Sequence, residues 1–240
     1  MFDLILLLVP LILGLIVSPL AIMALIAMLL SKRAESNGVA FLIGWITAIA
    51  VTLAISFEGL SLLDVERDST PPPWLAYLRF VIAVVLIVLG IYLLRRGRGR
   101  AVAMAHAASP GEVINAAPQL PGWLRAVDTF TPMRSAWLGF GIFILNPVDT
   151  SCGILAMLEV RLAAVSDNQR LASIAVFSLV AILPIAIPVI VLAIRGQKAR
   201  PFLNASRRWI AGHTTLLASA LLFLIAAIQL VKAFSAVLKT

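Results

Sequence analysis

The segment Asn146-Pro147-Val148-Asp149-Thr150-Ser151-Cys152 decides how this sequence is read. It lies inside an apolar run, residues 135–158, of about the 20 residues a helix needs to cross the hydrocarbon of a bilayer. Arg134 and Arg161 bracket the run, and at helical rise each stands roughly 20 Å from Pro147, which puts the proline near mid-membrane. Proline lacks a backbone N–H and crowds the preceding turn, so a helix breaks or kinks there. Asn146 is a good N-cap, and proline suits the first helical position. The pair therefore reads as the start of a second half-helix, with free N–H groups and a positive dipole end inside the membrane. Asp149 at that depth is costly and is a functional candidate, with Thr150 and Ser151 as polar neighbours. The competing reading makes Asp149 a carboxylate that merely complements the dipole from the first turn.

Working outward, the composition places the whole chain in a bilayer. Of 240 residues, 62% are hydrophobic and 12% charged, against roughly 45–50% and 25% in soluble domains. Apolar runs fall at residues 4–30, 39–57, 74–94, 135–158, 171–194 and 213–237. The expectation is an all-α integral membrane protein with six transmembrane helices. The first run is not expected to be a cleaved signal: no basic residue precedes it and no small-residue cleavage site follows. A single cysteine, Cys152, excludes a disulfide framework or thiolate cluster, and the two histidines, His106 and His213, are too far apart to suggest a zinc site. No nucleotide-binding loop, nucleophile elbow or HExxH motif occurs, so no cofactor, metal or catalytic residue is expected and the chain does not read as an enzyme.

A second proline repeats the pattern. Ser18-Pro19 breaks the first run as Asn146-Pro147 breaks the fourth, with the prolines 128 residues apart. Each is followed by an apolar stretch, a short polar loop (residues 31–37; 161–169) and two more spans. Three spans per unit is an odd number, so the halves insert in opposite senses, as in many secondary transporters with inverted repeats and broken helices. The expected organisation is a three-span repeat over 1–94, a basic linker over 95–134 and a second three-span repeat over 135–240. Ser18, Pro19, Asn146, Pro147, Asp149, Thr150 and Ser151 form the expected substrate or coupling site.

The net charge of +8 is mainly a topology signal. Lys32, Arg33, Arg95, Arg96, Arg98, Arg100, Arg125, Arg134, Arg195, Lys198, Arg200, Arg207 and Arg208 share one side, leaving Arg67, Arg79, Arg161, Arg170, Lys232 and Lys239 on the other. Positive loops stay cytoplasmic, so both termini are expected outside a plasma membrane, and nucleic acid is not an expected partner. Arg95, Arg96, Arg98, Arg100, Arg125 and Arg134 are also candidates for anionic lipid headgroups, and residues 121–128 for a short interfacial helix. Trp74, Trp137 and Trp209 read as interfacial anchors. The glycines Gly38, Gly44, Gly139, Gly141 and Gly153 read as sites of close helix packing. Pro184 and Pro188 are expected to bend the fifth span.

Several segments resemble a known family. Ser18-Pro19-Leu20-Ala21-Ile22, Ala40-Phe41-Leu42-Ile43-Gly44-Trp45, Pro121-Gly122-Trp123-Leu124-Arg125-Ala126-Val127-Asp128, Thr131-Pro132-Met133-Arg134-Ser135-Ala136, Gly139-Phe140-Gly141 and Leu145-Asn146-Pro147 are similar to the actinobacterial GAP family. So are Arg200-Pro201-Phe202-Leu203 and Arg207-Arg208-Trp209-Ile210 before the last span. These are peptidoglycolipid- or sulfolipid-addressing proteins of the lysine-exporter (LysE) transporter superfamily. The resemblance implies a six-span plasma-membrane protein that moves cell-envelope glycolipids toward the surface. Where family members often have Asn-Pro-Lys, this chain has Asn146-Pro147-Val148 followed by Asp149, which implies a different substrate charge.

The leading expectation is thus a transporter that exports or flips an amphipathic envelope lipid by alternating access around two broken half-helices. Membrane lipids, another copy of the chain or an envelope-biosynthesis protein are its expected partners. The alternatives are a proton-coupled exporter of an amino acid or small cation, a membrane-embedded transferase or its accessory subunit, and a scaffold without chemistry.

Overall fold

The computed structural model describes residues 2–29, 33–63, 65, 72–97 and 130–238. Every regular element among them is helical: α1 (Phe2–Ile16), α2 (Pro19–Leu29), α3 (Ala34–Leu62), α4 (Pro73–Tyr92), α5 (Pro132–Leu145), α6 (Pro147–Leu162), α7 (Asp167–Arg195) and α8 (Arg200–Val237). A π-helical turn, Leu93–Gly97, follows α4, and a 3-10 turn, Gly196–Ala199, joins α7 to α8. Among the described residues, four segments are long and apolar enough to cross a membrane: Ala34–Leu62, Pro73–Arg95, Asp167–Arg195 and Leu216–Val237. The pair α5 and α6 makes a fifth, bent by 69° at Asn146. α1 alone is shorter, 15 residues, and α2 adds 11 beyond a two-residue gap. The chain is a multi-pass membrane protein whose described elements are all helical.

Burial follows one rule. Large side chains such as Leu62, Tyr77, Leu179, Leu216 and Val231 are exposed, as apolar groups facing lipid are, because hydrocarbon replaces water as their solvent. α6 is the exception, since its residues 155 to 161 are all buried. A helix enclosed on every side is the core of a bundle. It packs mainly against α1 and α3 and touches α7 and α4 lightly, while α4 lies along α8 in a second broad interface.

The closest approach is between α3 and α5. A Cβ placed on Gly44 would collide with the backbone carbonyl of Ala136, and one on Gly139 with that of Phe41. Small residues let backbones touch where no hydrophobic force separates helix from lipid. Gly153 does the same for α6, its Cβ position lying 3.0 Å from Thr52 Cγ2 of α3. Gly141 meets nothing within 4 Å, so the expectation of close packing fails there because that face of α5 points away from the bundle.

Helix ends differ from the sequence reading where capping overrides hydropathy. α7 starts at Asp167, ahead of the apolar run, because Ser166 and Gln169 form a reciprocal capping box. α6 runs on through Arg161, which was expected in a loop. Pro184 and Pro188 lie within a single continuous α7. The interfacial helix expected over 121–128 lies outside the described residues.

Candidate functional site

The two expected helix breaks are present, and they meet. α2 begins at Pro19 and α6 at Pro147. At the second break Asn146 is extended (φ −82°, ψ 108°) and its Oδ1 accepts from Val148 N at 3.2 Å, capping α6. Its backbone N–H still donates to Ile142 O, so α5 ends satisfied. At the first break Ser18 N–H donates to Leu15 O, and Ile22 N–H to Ser18 O. These bonds satisfy part of the backbone at each interruption, which irregular structure inside a membrane requires.

The side chains then join the two breaks. Ser18 Oγ donates to Asp149 Oδ2 at 3.0 Å across 131 residues of sequence. Asn146 Nδ2 donates to the same Oδ2 at 2.6 Å and to Ser18 Oγ at 3.1 Å. All three residues are buried, Asp149 completely. Its other oxygen, Oδ1, is buried without a hydrogen bond among the described residues. No cation pairs with it there, so this acid has only neutral partners.

The remaining expected residues divide. Thr150 Oγ1 donates back to Phe143 O at 3.0 Å and Ile144 O at 2.9 Å, which closes the last turn of α5 instead of facing Asp149. Ser151 is half-buried and takes no part in the three-residue cluster. Pro147 is exposed; Pro19 is placed as the first residue of α2, and its side chain is outside the described residues. Of the headgroup candidates, Arg95 and Arg134 are exposed, on the turn after α4 and in the first turn of α5. Arg98, Arg100 and Arg125 lie outside the described residues, as does the side chain of Arg96.

Two groups escaped the sequence reading. On α3, Trp45 Nε1 and Thr52 Oγ1 are buried without hydrogen bonds among the described residues. Trp45 packs edge-on to Phe143 of α5 at 5.1 Å, and Thr52 faces Gly153 of α6. They thus lie on α3 against α5 before the break and α6 after it, each with an unbonded polar group. Their signal was a tryptophan and a threonine well inside an apolar run.

The second group is ionic. Arg79 Nη1 of α4 donates to Glu159 Oε1 of α6 at 2.9 Å and to Gln229 Oε1 of α8 at 2.6 Å. Lys232 Nζ of α8 donates to Glu159 Oε2 at 2.6 Å. Nearby in sequence, Arg161 Nε and Nη2 donate to Phe57 O, and its guanidinium lies 4.0 Å over the Phe57 ring. Arg79, Arg161 and Lys232 had been assigned to one membrane side by charge counting. All three stand in helices, and Arg79 and Arg161 are buried. Their signal was a charge inside an otherwise apolar span.

A family model described as Sap, sulfolipid-1-addressing protein, matches residues 8–235 of the chain. No curated protein and no solved structure matches it.

Proposed function

The chain belongs to the sulfolipid-1-addressing protein family, and from that premise we propose that it exports or flips an amphipathic envelope glycolipid across the plasma membrane. The observation that carries the reading is the junction of the two helix breaks: Ser18, Asn146 and Asp149 bonded together within one buried point. Broken helices that converge in mid-membrane are how secondary transporters expose polar backbone and side chains to a substrate. A lipid headgroup would exchange for these internal hydrogen bonds while its acyl chains stay in the bilayer.

In this reading α1 with α2, and α5 with α6, each count as one broken span, which gives six. Residues 1–94 and 135–240 are then inverted repeats, joined by a cytoplasmic linker over 95–134, with both termini outside. The packing supports a two-fold relation: α4 lies against α8, its counterpart, and α1 against α6 as α2 lies against α5. Arg95 and Arg134, both exposed, would hold headgroups at the cytoplasmic face. An apolar groove of about 90 Å³ between α1 and α7, lined by Ile5, Ile12 and Phe177 among others, offers room for part of an acyl chain. The family description speaks of addressing and names no reaction.

The test is translocation in proteoliposomes of a headgroup-labelled glycolipid, with wild type beside Asp149→Asn at equal protein level. The variant should move the lipid at least about tenfold more slowly, the loss expected of one interaction with a charged group. Equal rates would remove the junction from the mechanism.

One observation favours a second reading. Asp149 has neutral partners and one unbonded oxygen, which suits a proton carrier inside a membrane. A proton-coupled exporter of an amino acid or small cation would show gradient-driven efflux of a radiolabelled amino acid from liposomes holding this protein alone. Lipid movement without such efflux rejects it.

A further inference from the structure

The ionic cluster on α4, α6 and α8 carries more positive charge than it neutralises. Arg79 and Lys232 both bond the single carboxylate of Glu159, which leaves one unmatched positive charge among the described residues of the cluster. Donors are also in excess. Arg79 has five N–H groups, of which the two bonds in the cluster use Nη1 alone, and Lys232 spends one of three on Glu159. Gln229 turns its carbonyl oxygen to Arg79, so its amide donors remain. Buried charge is tolerated when paired, and a surplus cation in an apolar wall favours an anion.

Access is graded in the same direction. The side chains of Arg79 and Glu159 are 6% and 5% exposed, that of Lys232 is 27% exposed. Lys232 lies one turn before Ser235, which is exposed, so this end of the cluster reaches the surface of α8. The lysine therefore forms the rim of the cluster and the arginine its floor. An oxyanion entering past Lys232 would meet a point charge first and a planar guanidinium behind it, the arrangement that recognises sulfate and phosphate.

We propose that Arg79, Gln229 and Lys232 form a binding site for the singly charged oxyanion of a lipid headgroup, a sulfate or phosphate ester, which the Glu159 carboxylate occupies in the lipid-free protein. The site is distinct from the helix junction: Glu159 is ten residues along α6 from Asp149, about 15 Å. It stands on the cluster's own charge and not on the translocation reading, so the two fail separately.

The experiment is native mass spectrometry of the full chain in neutral detergent with two matched lipid pairs. One pair is galactosylceramide 3-sulfate and galactosylceramide; the other is phosphatidylglycerol and diacylglycerol. Wild type should retain the charged member of at least one pair about tenfold over its neutral counterpart, the scale of a charge-assisted hydrogen bond. Preference in the first pair alone assigns a sulfate, in the second alone a phosphate, and in both the shared oxyanion. Lys232→Gln, a change at the exposed rim, should reduce the preference to within about twofold. Glu159→Gln, which removes the competing carboxylate, should strengthen it several-fold, and the charged lipid should raise that variant's melting temperature more than the wild type's. A purely structural ion network predicts no gain of lipid in Glu159→Gln. No preference in wild type, or a preference that Lys232→Gln leaves intact, overturns the proposal.

Discussion

Two acids on one half-helix, Asp149 and Glu159, have opposite surroundings. Asp149 meets a hydroxyl and an amide and keeps one oxygen unbonded. Glu159 has both oxygens bonded by cations. Both are buried, so depth alone does not separate them; partners do. A carboxyl among neutral donors can change its bonding without leaving a charge stranded. A carboxylate between an arginine and a lysine cannot, because its removal isolates two cations in low dielectric. The first environment suits a group that exchanges partners during function. The second ties helices together unless another anion takes its place.

The contrast predicts different costs for chemically similar changes. Glu159→Gln should cost the most stability, about 3–5 kcal/mol, since it leaves Arg79 and Lys232 without their counter-charge; thermal or denaturant unfolding in detergent would measure it. A loss below about 1 kcal/mol would show that the cluster is no tie. Asn146→Ala should come next at about 1–2 kcal/mol, because it removes the α6 cap and the amide's bonds to Ser18 and Asp149. Ser18→Ala, which removes the hydroxyl that makes both bonds between the breaks but no helix cap, should cost about 1 kcal/mol by the same measurement. Asp149→Asn should be the mildest, under about 1 kcal/mol, because an amide oxygen still accepts from Ser18 and Asn146. Its effect on lipid translocation should nevertheless exceed that of Ser18→Ala in the proteoliposome assay. If stability and translocation fall in the same order across these variants, the division between a tying acid and a working acid collapses.

The sequence shows the Asp149 site more clearly than the Glu159 cluster, for a physical reason. A proline break and its cap are local: Pro147 fixes its own φ and lacks its own N–H, and Asn146 reaches only two residues ahead. The same holds for Ser18-Pro19. Arg79, Glu159 and Lys232 show in the sequence only as single charges in or beside apolar spans, and basic residues near span ends ordinarily mark orientation. What turns them from topology markers into a buried cluster is contact across 73 to 150 residues, which periodicity does not encode. Thr52 and Trp45 were missed similarly, because an isolated polar group in an apolar run acquires meaning from what it faces.

By itself, the sequence determined that the chain is helical, that its solvent is a bilayer, and that two helices stop at Ser18-Pro19 and Asn146-Pro147. Composition and missing backbone donors act wherever the chain lies. The tertiary structure alone decided that the two stops coincide, with Ser18 donating to Asp149, and that α6 is the enclosed helix. It also decided that Glu159 gathers cations from α4 and α8. These outcomes depend on close approaches such as Gly44 against Ala136, where backbone contact sets which faces meet.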